Sequence, residues 1–239
     1  MILHIFLDQN LAGRIESEIA AACSGSGEPD IDKLMRAPLL NSVYYETLRL
    51  HVAGTVGRRC PGSDFYLAGG RQIGRDDLVV FTNWDGGLDE SFWNTGPLLS
   101  GMRPAYPVDS FWAERFLRYP DEPQSGPLRQ SGVPALPNGP RTAEDDRKAQ
   151  LVTSGIKGHW FPFGGGSSRC PGETLAKNMM LCSVATVMRR IYIQLLDPVA
   201  AASVVSHHRV LPFGLHTFDK DVPVIVRHRH PGEGNTNGI

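Results

Sequence analysis

A chain of 239 residues is long enough for one large domain or two small ones, and a hydrophobic content of 41% supports a sizeable core. A net charge of −1 carries no electrostatic footprint for nucleic acid, so no nucleic-acid partner is expected. The four cysteines show neither paired zinc-ligand spacing nor a disulfide framework, which points to a reducing, intracellular setting.

Met1 to Leu7 is apolar but far shorter than the roughly 20 residues that a membrane span needs, and no signal peptide is visible. Leu3 to Ala22 is predicted as one helix, closed by Ser24-Gly25-Ser26-Gly27. A short helix over Asp30–Met35 stops ahead of Pro38. Leu40, Val43, Tyr44, Thr47 and Leu48 recur at helical spacing, which predicts an amphipathic helix over 38–51. Strands are predicted at Val56–Arg59, Asp64–Ala68, Arg71–Ile73 and Leu78–Thr82, with Gly69-Gly70 as a hairpin turn. Residues 104–160 read as an irregular meander, and Tyr119 to Pro140 alone contains six prolines. A helix runs from about Glu173 to Arg190. Val210–Phe218 and Val222–Arg229 then read as a terminal hairpin before a flexible tail, 231–239. Histidines 207, 208, 216, 228 and 230 read as solvated rather than as ligands. The class is α+β, mainly α with small β-sheets.

The most informative stretch is Phe163-Gly164-Gly165-Gly166-Ser167-Ser168-Arg169-Cys170-Pro171-Gly172. Glycines let a backbone lie close against a planar group, since any Cβ would hold that group off. The helix that follows points its N-terminus at the sulfur and favours negative charge there. Thiolate is one of the few axial ligands of haem iron. Cys60-Pro61-Gly62 repeats the short core of this motif, but Ala53 and Val56 stand where Phe163 and Gly166 stand in the longer one. Upstream, Glu46 and Arg49 share one face of the 38–51 helix.

The decamer resembles the haem-binding signature of the cytochrome P450 monooxygenases. Phe163, Gly166 and Gly172 take the places seven before, four before and two after the cysteine. Ser168 stands where the family usually has a basic residue, and Arg169 is the candidate substitute. The family also carries Glu-x-x-Arg upstream and a Glu-Arg-Phe segment between the two motifs. Phe111-Trp112-Ala113-Glu114-Arg115-Phe116 is similar to that segment, with Ala113 where many members have proline.

The resemblance implies the C-terminal portion of the cytochrome P450 fold over residues 1–230, about half a family member. Glu46, Arg49 and Arg115 would form a buried structural charge cluster. Haem b would be held by Phe163, Gly164, Gly166, Arg169, Cys170 and Gly172, with Cys170 on the iron and Arg59 on a propionate. Ala53, Val56, Phe213 and Leu215 would line a pocket for a small hydrophobic substrate. A reductase drawing on NADPH would supply electrons, received near Lys177, Arg189 and Arg190. Met1–Leu7 looks like the exit from the helix that bears the family's acid/threonine pair, so no residue is assigned as catalytic. A full-length parent is expected at the endoplasmic reticulum membrane. The implied function is insertion of one oxygen atom of dioxygen into the substrate. The alternatives are a non-catalytic haem-binding protein or a degenerate fragment.

Overall fold

The helix predicted over Leu3–Ala22 is two helices in the computed structural model, which describes residues 1–24, 27–52, 54–99, 103–130, 140–204 and 218–229. Thr55 and Val56 are described in their backbone only. Asp8 makes the break. Its extended backbone ends α1 (Ile2–Leu7), and its side chain accepts the Leu11 N–H at 3.0 Å to start α2 (Gln9–Ala22). Aspartate competes for the free N–H groups of a helix start, and that local bond overrides the apolar periodicity running through it.

Asp30 caps α3 (Ile31–Leu34), and α4 (Pro38–His51) opens on proline, whose missing N–H would have been unpaired there anyway. The N-cap residue of α4, Ala37, has no capping side chain. Glu18 of α2 caps the helix from outside. Its Oε1 accepts the Leu39 N–H at 2.9 Å and its Oε2 accepts the Leu40 N–H at 2.8 Å.

Beyond α4 the chain forms small antiparallel sheets. β1 (Thr55–Arg59) pairs with β4 (Leu78–Thr82), Gly57 opposite Val80. Between them β2 (Phe65–Tyr66) and β3 (Gln72–Ile73) make a hairpin shorter than predicted. Gly69 and Gly70 turn it with φ of 91° and 77°, a region that side chains with a Cβ rarely enter. α5 (Asn83–Gly87) follows directly, capped by Thr82.

The predicted meander is not wholly irregular. β5 (Leu117–Arg118) pairs with β6 (Gln150–Leu151), and α6 (Ala143–Lys148) is set by a Thr142/Asp145 capping box. Last come α7 (Glu173–Arg190), β7 (Ile191–Leu195), α8 (Pro198–Ala202) and β8 (Val224–His228). β8 pairs with β7, Ile193 opposite Val226. Of the strand predicted over Val210–Phe218, residues 210–217 lie outside the described residues, as does the tail.

α4 runs through the centre. Leu39, Leu40, Val43, Tyr44 and Leu48 share one core with Ile15 and Ile19 of α2 and Leu181, Val184 and Met188 of α7. Each such side chain contributes about 1.5–3 kcal/mol by leaving water. A smaller cluster gathers Trp93, Val108, Phe116 and Ile156. Ser42 of α4 ties the two cores together: its hydroxyl donates to the Ala113 carbonyl at 2.5 Å and accepts the Phe116 N–H at 3.2 Å.

Candidate functional site

The inner face of α4 carries a dry charge cluster. Arg49 lies one turn beyond Glu46 and grips it with a fork, Nε to Oε2 at 2.7 Å and Nη2 to Oε1 at 2.8 Å. Arg115 donates Nε to the same carboxylate at 3.0 and 3.2 Å, and the Trp112 N–H adds a bond at 3.1 Å. None of the three charged side chains has exposed surface. Two guanidiniums around one carboxylate leave an excess positive charge, and backbone oxygens absorb it. Arg49 Nη1 donates to the carbonyls of Gly87 and Val108 at 2.5 and 2.6 Å. Arg115 Nη1 donates to the Asn94 carbonyl, and its Nη2 to those of Pro107 and Ser110, both at 3.2 Å. Burial alone would raise the Glu46 carboxyl, but Arg115 and Arg49 outweigh it and hold it below its ordinary value. Arg115 is pushed down to about 10, chiefly by burial and further by Arg49, with Glu46 pulling against both.

The Cys170 loop is the opposite kind of place. Half-buried Phe163 packs against the main core and anchors its start. Its carbonyl accepts the Cys170 N–H at 2.8 Å, which closes the loop on itself. Inside that closure Gly164 and Gly166 have φ of 73° and 63°, and a single 3₁₀ turn spans Gly166–Ser168. Residues 165–171 are all exposed, and a Cβ added at Gly165 or Gly166 would meet nothing within 4 Å. Gly172 is the N-cap of α7 and has no side chain to offer its free N–H groups. Cys170 is exposed at that helix start, whereas Cys60 is 7% exposed, its backbone bonded to Asp76 and Asp77.

The remaining predicted residues are dispersed. Arg59 lies on exposed β1 and donates to the Asp76 carbonyl at 3.1 Å. Arg169 forms a bidentate pair with Glu173, at 2.5 and 2.7 Å. Ala53, Phe213 and Leu215 lie outside the described residues, as does the side chain of Val56. Lys177 is half-buried, its Nζ 5.1 Å from the centre of the Tyr45 ring, and Arg190 pairs with Glu28 at 3.1 Å.

A second buried ion cluster was not foreseen. Arg14 of α2 grips Asp146 of α6 with Nε and Nη2 at 2.7 and 2.6 Å, and donates Nη1 to Glu114 at 2.5 Å. The Tyr119 hydroxyl also donates to Asp146, at 3.1 Å. The one signal in the sequence was a pair of charges, Arg14 and Glu18, set i,i+4 on the apolar side of α2 beside Leu11, Ile15 and Ile19. Next to this cluster is a cavity of 770 Å³ lined by His4, Leu11, Tyr106, Trp112 and Arg141 among others. No residue of the 163–172 loop lines it, so it is separate from the Cys170 face.

The donor set bears on what the loop could hold. Among the described residues no three His, Cys, Asp or Glu side chains gather as a metal site. Zinc held structurally takes four protein ligands. A lone exposed thiol beside an open glycine face suits an iron whose remaining ligands come with its own cofactor, and the residues present fit haem in that respect.

The sequence profile described as Cytochrome P450 matches residues 1–97, a stretch that holds Glu46 and Arg49 and stops short of Cys170. The chain is 34% identical over 167 residues to the cytochrome P450 monooxygenase efuG of Hormonema carpetanum, covering 70% of this chain and 28% of the relative. It is 33% identical over 201 residues to the monooxygenase fsoE of Humicola fuscoatra, covering 82% and 33%. It is 27% identical over 162 residues to a 2-hydroxyisoflavanone synthase of Glycine max, covering 67% and 24%. The chain therefore spans about a third or less of the length of these relatives. With the Glu46 cluster in place, the chain is similar over most of its residues to cytochrome P450 monooxygenases.

Proposed function

We propose that the chain is the C-terminal, haem-holding portion of a haem-thiolate monooxygenase, in which Cys170 would hold the haem iron through its sulfur. The observation that carries this reading is the contrast between the two Cys-Pro-Gly cysteines: Cys170 is exposed at the head of a glycine loop and a long helix, and Cys60 is buried. When bound, haem would supply the redox centre at which dioxygen is activated. The chain's own residues have holding roles. Cys170 offers its sulfur, and the start of α7 stabilises negative charge there through its uncapped N–H groups. Gly164, Gly165 and Gly166 keep the approach free of side chains. Phe163 pins the loop to the core, and Glu46, Arg49 and Arg115 tie α4 to the segments around Gly87, Asn94 and 107–115.

The substrate class proposed is small and hydrophobic, with electrons delivered by an NADPH-dependent reductase, a reading supported by the similarity to cytochrome P450 monooxygenases. Oxygen insertion belongs to the whole protein. Among the described residues no helix is long and apolar enough to cross a membrane.

The test is a carbon monoxide spectrum of the reduced, haem-loaded chain. A red-shifted Soret band typical of thiolate ligation is expected from the parent and from Cys60→Ser, and its loss from Cys170→Ser. Equal spectra from the two variants would overturn the assignment.

A further inference from the structure

Arg169, next to the proposed ligand, is already held by the protein. Its Nε and Nη2 edge faces both oxygens of Glu173 across Cys170, on an exposed surface. Haem brings two propionate carboxylates, and a guanidinium recognises a carboxylate best by this same two-pronged edge. Arg59 is the other candidate cation, and its described bond is to a backbone carbonyl. Ser168 offers a hydroxyl and no charge.

Resting on the haem-thiolate reading, we propose that Glu173 is an internal competitor of the haem propionate for Arg169. The acid occupies the edge that the cofactor's carboxylate would take, so uptake exchanges one carboxylate for another. Glu173 is also the first residue of α7, where a negative charge is favoured by the helix dipole, so a stable place remains for it after Arg169 lets go. The pair thus covers the cation ahead of haem uptake and sets a threshold that a ligand without carboxylates would not overcome in the same way.

The experiment is a titration of the full chain with ferric haem and with haem dimethyl ester, followed by absorbance. Glu173→Gln should tighten haem binding about two- to five-fold, the worth of an exposed ion pair. The gain should vanish with the dimethyl ester, and vanish again when Arg169→Gln is combined with it. Glu173→Asp, too short to hold both nitrogens, should show part of the gain and guards against a folding artefact in the glutamine variant. A gain that persists in the Arg169→Gln background, or with the ester, means that Glu173 acts by plain repulsion or through the loop, and overturns the proposal. No gain at all overturns it as well. Cys170→Ser is titrated alongside: if it matches the parent in affinity and spectrum, the haem-thiolate reading itself has failed, whatever Glu173 does.

Discussion

Around Glu46 three charged side chains have no exposed surface, pair through the one carboxylate and donate to the carbonyls of five other residues. Around Cys170 seven consecutive residues are exposed, and open space stands where side chains would be. The first region is complete within the chain, whereas the second presents polar and conformationally unusual backbone to whatever approaches. Stability and the proposed haem-holding role are thus lodged in different places, and substitutions in the two should separate cleanly.

The sharpest way to break that contrast is Glu46→Ala. It leaves Arg49 and Arg115 buried without their carboxylate and should cost about 3–5 kcal/mol, much of a typical domain's stability. Urea unfolding would measure it, and a loss below about 1 kcal/mol would show that the carbonyls alone suffice. Next comes Glu18, whose carboxyl burial pushes up to about 7, further raised by Asp146 and opposed by the Leu39 and Leu40 N–H bonds and by Arg14. A raised carboxyl stabilises the fold fully below its unfolded value of 4.5, and that contribution is lost as pH rises through about 7. The expected loss between those limits is about 3 kcal/mol, and it should be missing from the pH profile of Glu18→Gln. Melting curves of the two proteins from pH 4.5 to 8 should converge or diverge accordingly; parallel profiles would refute the effect.

Smaller effects belong to the open loop. Gly166→Ala meets no neighbour, so its cost should be conformational alone, about 1 kcal/mol for a Cβ at φ of 63°. Cys170→Ser should change the stability of the ligand-free chain by no more than about 0.5 kcal/mol, as for other exposed positions. A large loss from either would mean that the loop supports the fold after all.

Local signals carried much of the architecture. Periodicity and Pro38 place α4 at its observed bounds, and the glycine run followed by Glu173 places the start of α7. Asp8 was misread because a helix cap and an apolar stripe coincide there, and the cap won. β7 was missed because it continues from α7 without a turn residue between Arg190 and Ile191. The site was legible where its parts sit close in sequence, as in Glu46 with Arg49 or Phe163 with Cys170. Arg115, 69 residues from Glu46, entered only through the order of motifs. Arg14 was out of reach altogether, since its partners lie 100 and 132 residues away and no spacing joins them.

Two of the four tryptophans lean on the arginines of the Glu46 cluster. Trp93 is fully buried, its indole N–H on the Gly86 carbonyl at 2.7 Å and the Arg49 guanidinium 5.5 Å from its ring centre. Trp112 stacks on Tyr106 at 4.2 Å with Arg115 5.3 Å away. A cation held over an indole face shifts the energy of its excited state relative to the same ring in water. The colour of the chain's own fluorescence therefore registers whether its charged centre is assembled, without any label.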